Sequence, residues 1–155
     1  MKLFTFIVLI LTFSFLFLGA CAVNKVESNS KPITHELWDT LVQTHVSSDG
    51  KVDYKNFIKD SLRLNSYINL LSANHPNDVN WSTNERLAFW INAYNAFTIK
   101  LVIDHYPTKS IKDIKKGIPF INDVWEINFF KIEGISYNLN DIEHGIIRKR
   151  FTEPR

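Results

Sequence analysis

From Ser82 to Pro107 the chain reads as one long, almost uniformly apolar helix, and this stretch constrains the fold more than any other. Ser82-Thr83-Asn84-Glu85 fits the capping box, in which a serine and a glutamate three residues on satisfy two free N–H groups at a helix start. Pro107 closes the segment, because proline disfavours helix in the residue before it. At about 100° per residue, Arg86, Lys100 and Asp104, with Ala93 among them, form the clearly polar arc. Leu87, Ile91, Tyr94, Thr98, Leu101 and Val102 occupy the opposite side. A helix apolar nearly all round is a central, buried one.

Within it, "FWINAYNAFTIK" (residues 89–100) carries two asparagines. Asparagine is a poor helix former, because its side chain competes for backbone hydrogen bonds. On the wheel Asn92 and Asn95 both point away from the polar arc. Buried without a partner, an amide costs roughly 1–3 kcal/mol. Something polar is therefore expected to meet this helix inside the protein.

The last helix offers a partner. Asn140 is placed to cap a helix from Asp141 to about Phe151. Ile142, Ile146, Ile147 and Phe151 define its apolar arc, Glu143 falls inside that arc, and His144 lies at its edge with Arg148 one turn on. A carboxylate on a buried face is paired or protonated. Two readings follow. Glu143, Arg148, Asn92 and Asn95 form a polar core that pins two helices together, or they line a working site with Glu143 and His144 as its acid and base. The pinning role is the first expectation. The other four histidines show no metal-ligand spacing. HExxH, GxSxG, P-loop and GxGxxG motifs are absent from the sequence, and neither a metal nor a cofactor is expected.

Elsewhere, Thr34 can start a helix to about Val46, Ser47-Ser48-Asp49-Gly50 is turn chemistry, and Val52 with Tyr54 suggests a short extended piece. A second helix is expected over roughly Lys55 to Ser72, with Phe57, Ile58, Leu62, Ile68 and Leu71 as its apolar set. Ser110 to Lys116 suggests a helical turn. Val124–Ile132 and Ile135–Leu139 read as strands around a Glu133-Gly134 turn. The fold class is α+β, a mainly helical domain with one long buried central helix and a small antiparallel hairpin.

The start of the chain is different. Met1-Lys2, an apolar run from Leu3 to Leu18 and small residues before Cys21 make a secretory signal. Leu18-Gly19-Ala20-Cys21 resembles the lipobox of bacterial lipoproteins, which implies cleavage before Cys21 and lipid on its sulfur; the alternative is an uncleaved membrane anchor, since the run nearly reaches the roughly 20 residues that a spanning helix needs. The organisation is then a signal peptide over 1–20, a flexible tether over 21–33 and a domain over 34–155. Cys21 is the only cysteine, so no internal disulfide forms. Lipidation leaves no thiol for catalysis. Eighteen Lys and Arg against sixteen Asp and Glu, without a basic stripe, argue against nucleic acid as a partner.

"AFWINAYNAFTIKLVIDHYP", "KSIKDI" and "YNLNDIEHGIIRKRFTEPR" together resemble the family called domain of unknown function 547, over about Thr34 to Arg155. The resemblance implies no fixed reaction. It implies that longer relatives continue past the counterpart of Phe151–Arg155 into a cysteine-containing stretch, so this chain is expected to be a truncated member. A comparison with thiol enzymes, carried by position, makes Glu143 and His144 the acid and base of a site without its nucleophile. The expected function is an envelope lipoprotein, on the outer or the cell membrane, that is non-catalytic or incomplete. The alternatives are a hydrolase or transferase using Glu143 and His144, and an assembly module with an exposed apolar patch near its C-terminus.

Overall fold

The computed structural model describes residues 28–114 and 123–152. The expected signal, Cys21 and the first part of the expected tether lie outside them, as do Lys115, Lys116 and Glu153–Arg155. No helix among the described residues is long and apolar enough to cross a membrane.

Helix α1 spans Glu36–His45 and buries Trp38, Leu41 and His45, spaced three and four apart on one face. Its first turn is held by Thr34, whose Oγ1 accepts from the Glu36 N–H at 3.3 Å. The expected turn follows. Gly50 takes a φ of 81°, left-handed backbone that suits glycine, and Val46 pairs with Val52 in an isolated antiparallel bridge.

The single helix expected over Lys55–Ser72 is two helices, α2 (Tyr54–Lys59) and α3 (Ser61–Ser72). Asp53 caps α2, accepting from the Asn56 N–H at 3.1 Å. The break falls at Asp60, whose carboxylate meets His45 of α1 at 3.1 Å and Arg63 at 3.0 Å. The break changes the buried set. Phe57, Leu64, Tyr67 and Leu71 are buried, whereas Ile58 and Leu62, expected in the core, are 39% and 82% exposed.

Helix α4 spans Thr83–Asp104 and carries the full capping box. It supplies Phe89, Trp90, Ala93, Ala96, Phe97, Ile99, Leu101, Val102 and Ile103 to the core, more than any other element. Its orientation differs from the wheel. Ala93, expected in the solvent arc, is fully buried, while Ile91, expected inside, is 38% exposed. Asn95 is exposed and Asn92 half-buried, so the expectation of two inward asparagines fails for Asn95. Charge misled the wheel: Lys100 reaches Asp104 across one turn at 2.5 Å and Arg86 pairs with Asp78, so these side chains lie along the helix edge beside buried neighbours.

Val124 and Ile127 are both buried, three residues apart around a 3₁₀ turn over Val124–Glu126, so the first expected strand is shorter than its sequence suggested. Strand β1 is Phe130–Ile132 and β2 is Ile135–Tyr137, antiparallel, with Phe130 opposite Tyr137 and Ile132 opposite Ile135. Glu133 at φ 45° and Gly134 at φ 80° form the two-residue turn, the pair of positive φ values that matches strand twist. Phe130 stacks on Phe97 of α4 with ring centroids 3.8 Å apart, fixing the hairpin to the core.

The last helix departs most from expectation. Asp141–Ile147 is a π-helix, followed by the short α5, Arg148–Arg150. Asn138, not Asn140, starts it: its Oδ1 accepts from the Asp141 N–H at 2.8 Å and Asp141 Oδ2 accepts from the Asn138 N–H at 3.1 Å. Asn140 makes no side-chain cap. Ile142 and Ile146 are buried against the core.

Candidate functional site

The π-helix places Glu143 beside α4. Its backbone hydrogen bonds span five residues, and the Arg148 N–H donates to the Glu143 carbonyl. That wide turn brings the two side chains together as well: Arg148 Nη2 donates to Glu143 Oε1 at 2.7 Å. In an α-helix residues five apart diverge by about 140°, so this pair depends on the π geometry. On the other side Tyr94 Oη donates to Glu143 Oε2 at 3.3 Å. Burial, then the nearby Glu143 charge and this hydrogen bond, push the Tyr94 phenol above its ordinary range.

Both carboxylate oxygens of Glu143 therefore have donors. His144 Nε2 stands 3.9 Å from Glu143 Oε1, beyond hydrogen-bond distance. The cluster borders solvent, with side-chain exposures of 34% for Glu143, 55% for His144 and 65% for Arg148. The contact from α4 comes from Tyr94, which the wheel had placed on the apolar side, and not from Asn92 or Asn95. Chemically the arrangement is a carboxylate clamped between a phenol and a guanidinium. Each oxygen keeps a second lone pair, so the two donors fix the orientation of the carboxylate without using up its acceptor capacity.

A second polar cluster went unnoticed in the sequence. His75, in the loop between α3 and α4, donates from Nδ1 to the Pro76 carbonyl at 2.8 Å, leaving Nε2 to accept from Tyr137 Oη at 2.8 Å. Trp90 packs edge-on against the imidazole with centroids 5.4 Å apart. Glu133 Oε1 accepts from the His75 N–H and from Ser28 Oγ, each at 3.0 Å. Ser28 and Ser30 hydroxyls both donate to the His75 carbonyl, and Trp81 Nε1 donates to the Ser30 carbonyl at 3.1 Å. Burial holds the His75 imidazole below the usual histidine range. Local spacing carries no signal of this network, because it joins four separate segments.

A third group, His45–Asp60–Arg63, lies at the junction of α1, α2 and α3. A surface recess of about 450 Å³ is lined by Gln43, His45, Lys51, Asp53 and their neighbours, and by none of the Glu143 cluster. Among the described residues no three His, Cys, Asp or Glu side chains group to hold a metal ion. The large apolar side chains that stand exposed among them are Ile58, Leu62, Val79, Ile91 and Tyr106, none from the terminal helix.

A family model described as protein of unknown function, DUF547, matches residues 79–155. The match takes in α4, the hairpin and the π-helix, hence every member of the Glu143 cluster, and it starts later than the Thr34 expected from the resemblance. No curated protein and no solved structure matches the chain.

Proposed function

The chain belongs to the DUF547 family, and from its own residues we propose that it is a bacterial envelope lipoprotein, held at the outer or the cell membrane by lipid on Cys21 and without a reaction of its own. The observation that carries the anchor is Leu18-Gly19-Ala20-Cys21 at the end of the apolar run, with Cys21 the only cysteine. Two lipid chains give stable anchoring without help from protein charge. The non-catalytic reading is supported by the spacing of the expected acid and base: His144 Nε2 lies 3.9 Å from Glu143 Oε1, beyond hydrogen-bond distance. Among the described residues the side-chain contacts of Glu143 are with Tyr94, Arg148 and His144, and no serine or threonine hydroxyl joins them.

The test is Cys21→Ser in the intact chain expressed in a bacterium. The wild type is expected in the membrane fraction, with a mature N-terminus at Cys21 whose mass carries acyl chains. The variant is expected to keep its leader. A variant that is still cut at the same place and still needs detergent for extraction overturns the anchor.

A further inference from the structure

We propose that the end of the domain where the described chain begins is a docking face for anionic phospholipid headgroups, a proposal that rests on the lipid anchor at Cys21. Ser28 and Ser30 fix that end. They bond to the His75 carbonyl, Ser28 also reaches Glu133 at the hairpin turn, and the side chains of Asn77, Asn80 and Trp81 donate to the Ser30 carbonyl. The terminal helix packs at the same place: Trp90, edge-on to His75, lies one turn before Tyr94, which bonds the Glu143 that Arg148 clasps, and the Arg150 charge is felt at both His75 and Tyr137. The incoming strand of chain and the cationic run Arg148-Lys149-Arg150 therefore share one end of the molecule.

Charge is unevenly divided about this end. Lys31, Lys131, Arg148, Lys149 and Arg150 are exposed there, and Arg86 pairs with Asp78 between Asn77 and Asn80; against them stand Asp78, Glu133, Asp141 and Glu143: six cations less four carboxylates, or +2. The other described residues carry seven Lys and Arg and ten Asp and Glu, or −3. Ser28 is seven residue steps after Cys21, a span of at most about 25 Å of extended chain. A domain of this size has a radius of gyration of about 14 Å. A lipid on Cys21 thus keeps the positive end within one molecular width of the bilayer. An anionic surface then attracts the +2 end and repels the remainder. Each lysine or arginine brought within a Debye length, about 8–10 Å, is worth about five-fold in population. Because the anchor already holds the domain nearby, this modest bias suffices to orient it.

The experiment uses the full lipidated chain in vesicles. With Cys21 acylated, an introduced cysteine is a unique thiol. Ser136→Cys places a fluorophore on the exposed side of β2 at the proposed face. Asp49→Cys places one at the far end of α3, about 18 Å away along its twelve residues, where His45 meets Asp60. Quenching by a lipid-borne quencher is read in phosphatidylcholine alone and with added phosphatidylglycerol. The label at 136 is expected to gain quenching with the anionic lipid, and the label at 49 to lose it. Combining Lys149→Gln with Arg150→Gln, both exposed and harmless to packing, is expected to lower the gain by about five-fold per charge. Equal quenching in the two lipids, or indifference to the two substitutions, overturns the docking face. A mass without acyl chains on Cys21 overturns the anchor and the docking face together, so the two failures are told apart.

Discussion

Two pairs of opposite charge type, His45–Asp60 and Arg148–Glu143, differ in setting more than in chemistry. The second is the shorter, 2.7 Å against 3.1 Å. The first is the more enclosed: His45 is 9% exposed and Asp60 22%, whereas Arg148 is 65% exposed and Glu143 34%. His45 also packs on Phe57 with ring centroids 4.8 Å apart, and its hydrogen bond to Asp60 is the main reason that the Asp60 carboxyl lies below its usual range. Distance alone ranks the pairs wrongly. An ion pair in water contributes roughly 0–1 kcal/mol, while a buried polar group that loses its partner costs about 1–3 kcal/mol. The pair outside the family match is thus a structural pin, and the pair inside it is a surface clamp.

The largest effect is expected at the pin. His45→Ala removes the packing on Phe57 and the link between α1 and the α2–α3 junction, at a cost of about 2–3 kcal/mol in urea unfolding. A cost under about 1 kcal/mol breaks the comparison, since the enclosed pair then behaves like the exposed one.

His75 sharpens it at an intermediate depth. Burial is the leading cause that lowers the imidazoles of both His75 and His35. A histidine whose folded pKa lies below its unfolded value of about 6.5 binds its proton more readily in the unfolded chain. Its contribution is complete above that value and shrinks as pH falls through it. Stability is expected to drop between about pH 7 and 5, by at most about 1.4 kcal/mol per pH unit for each group. His75→Gln keeps an acceptor for Tyr137 and removes one of the two titrations, so the slope of unfolding free energy against pH decreases. An unchanged slope shows that His75 takes up its proton equally in both states.

Legibility followed the range of the interactions. The Ser82–Glu85 capping box and the Glu133–Gly134 turn are local, and each was readable from a few residues. The break at Asp60 was not: the contact its carboxylate makes is with His45, fifteen residues earlier. The wheel of α4 went wrong at Ala93 and Ile91, where salt bridges along the helix edge imitate a solvent face. At the candidate site, Arg148 meets Glu143 as expected, whereas the contact from α4 is Tyr94 in place of Asn92 or Asn95. A period of 3.6 residues sets Arg148 beside His144, while the π turn sets it beside Glu143. Ile142 and Ile146 on that turn are buried against the core, a tertiary contact that local spacing does not carry.

The smallest expected effect belongs to the clamp and decides what holds the π turn. Arg148→Ala and Glu143→Gln are each expected to change stability by no more than about 0.5 kcal/mol, and the double variant to be additive within about 0.5 kcal/mol. The reason is that the Arg148 N–H bonds to the Glu143 carbonyl through the backbone, and the buried Ile142 and Ile146 hold that geometry without the side-chain pair. Hydrogen exchange at the Arg148 amide is the direct readout, and its protection is expected to survive both substitutions. A coupling above about 1 kcal/mol, with protection lost in Arg148→Ala, reverses the assignment. The ion pair then fixes the wide turn, and the clamp inside the family match becomes a preorganised site whose geometry is maintained by its own charges.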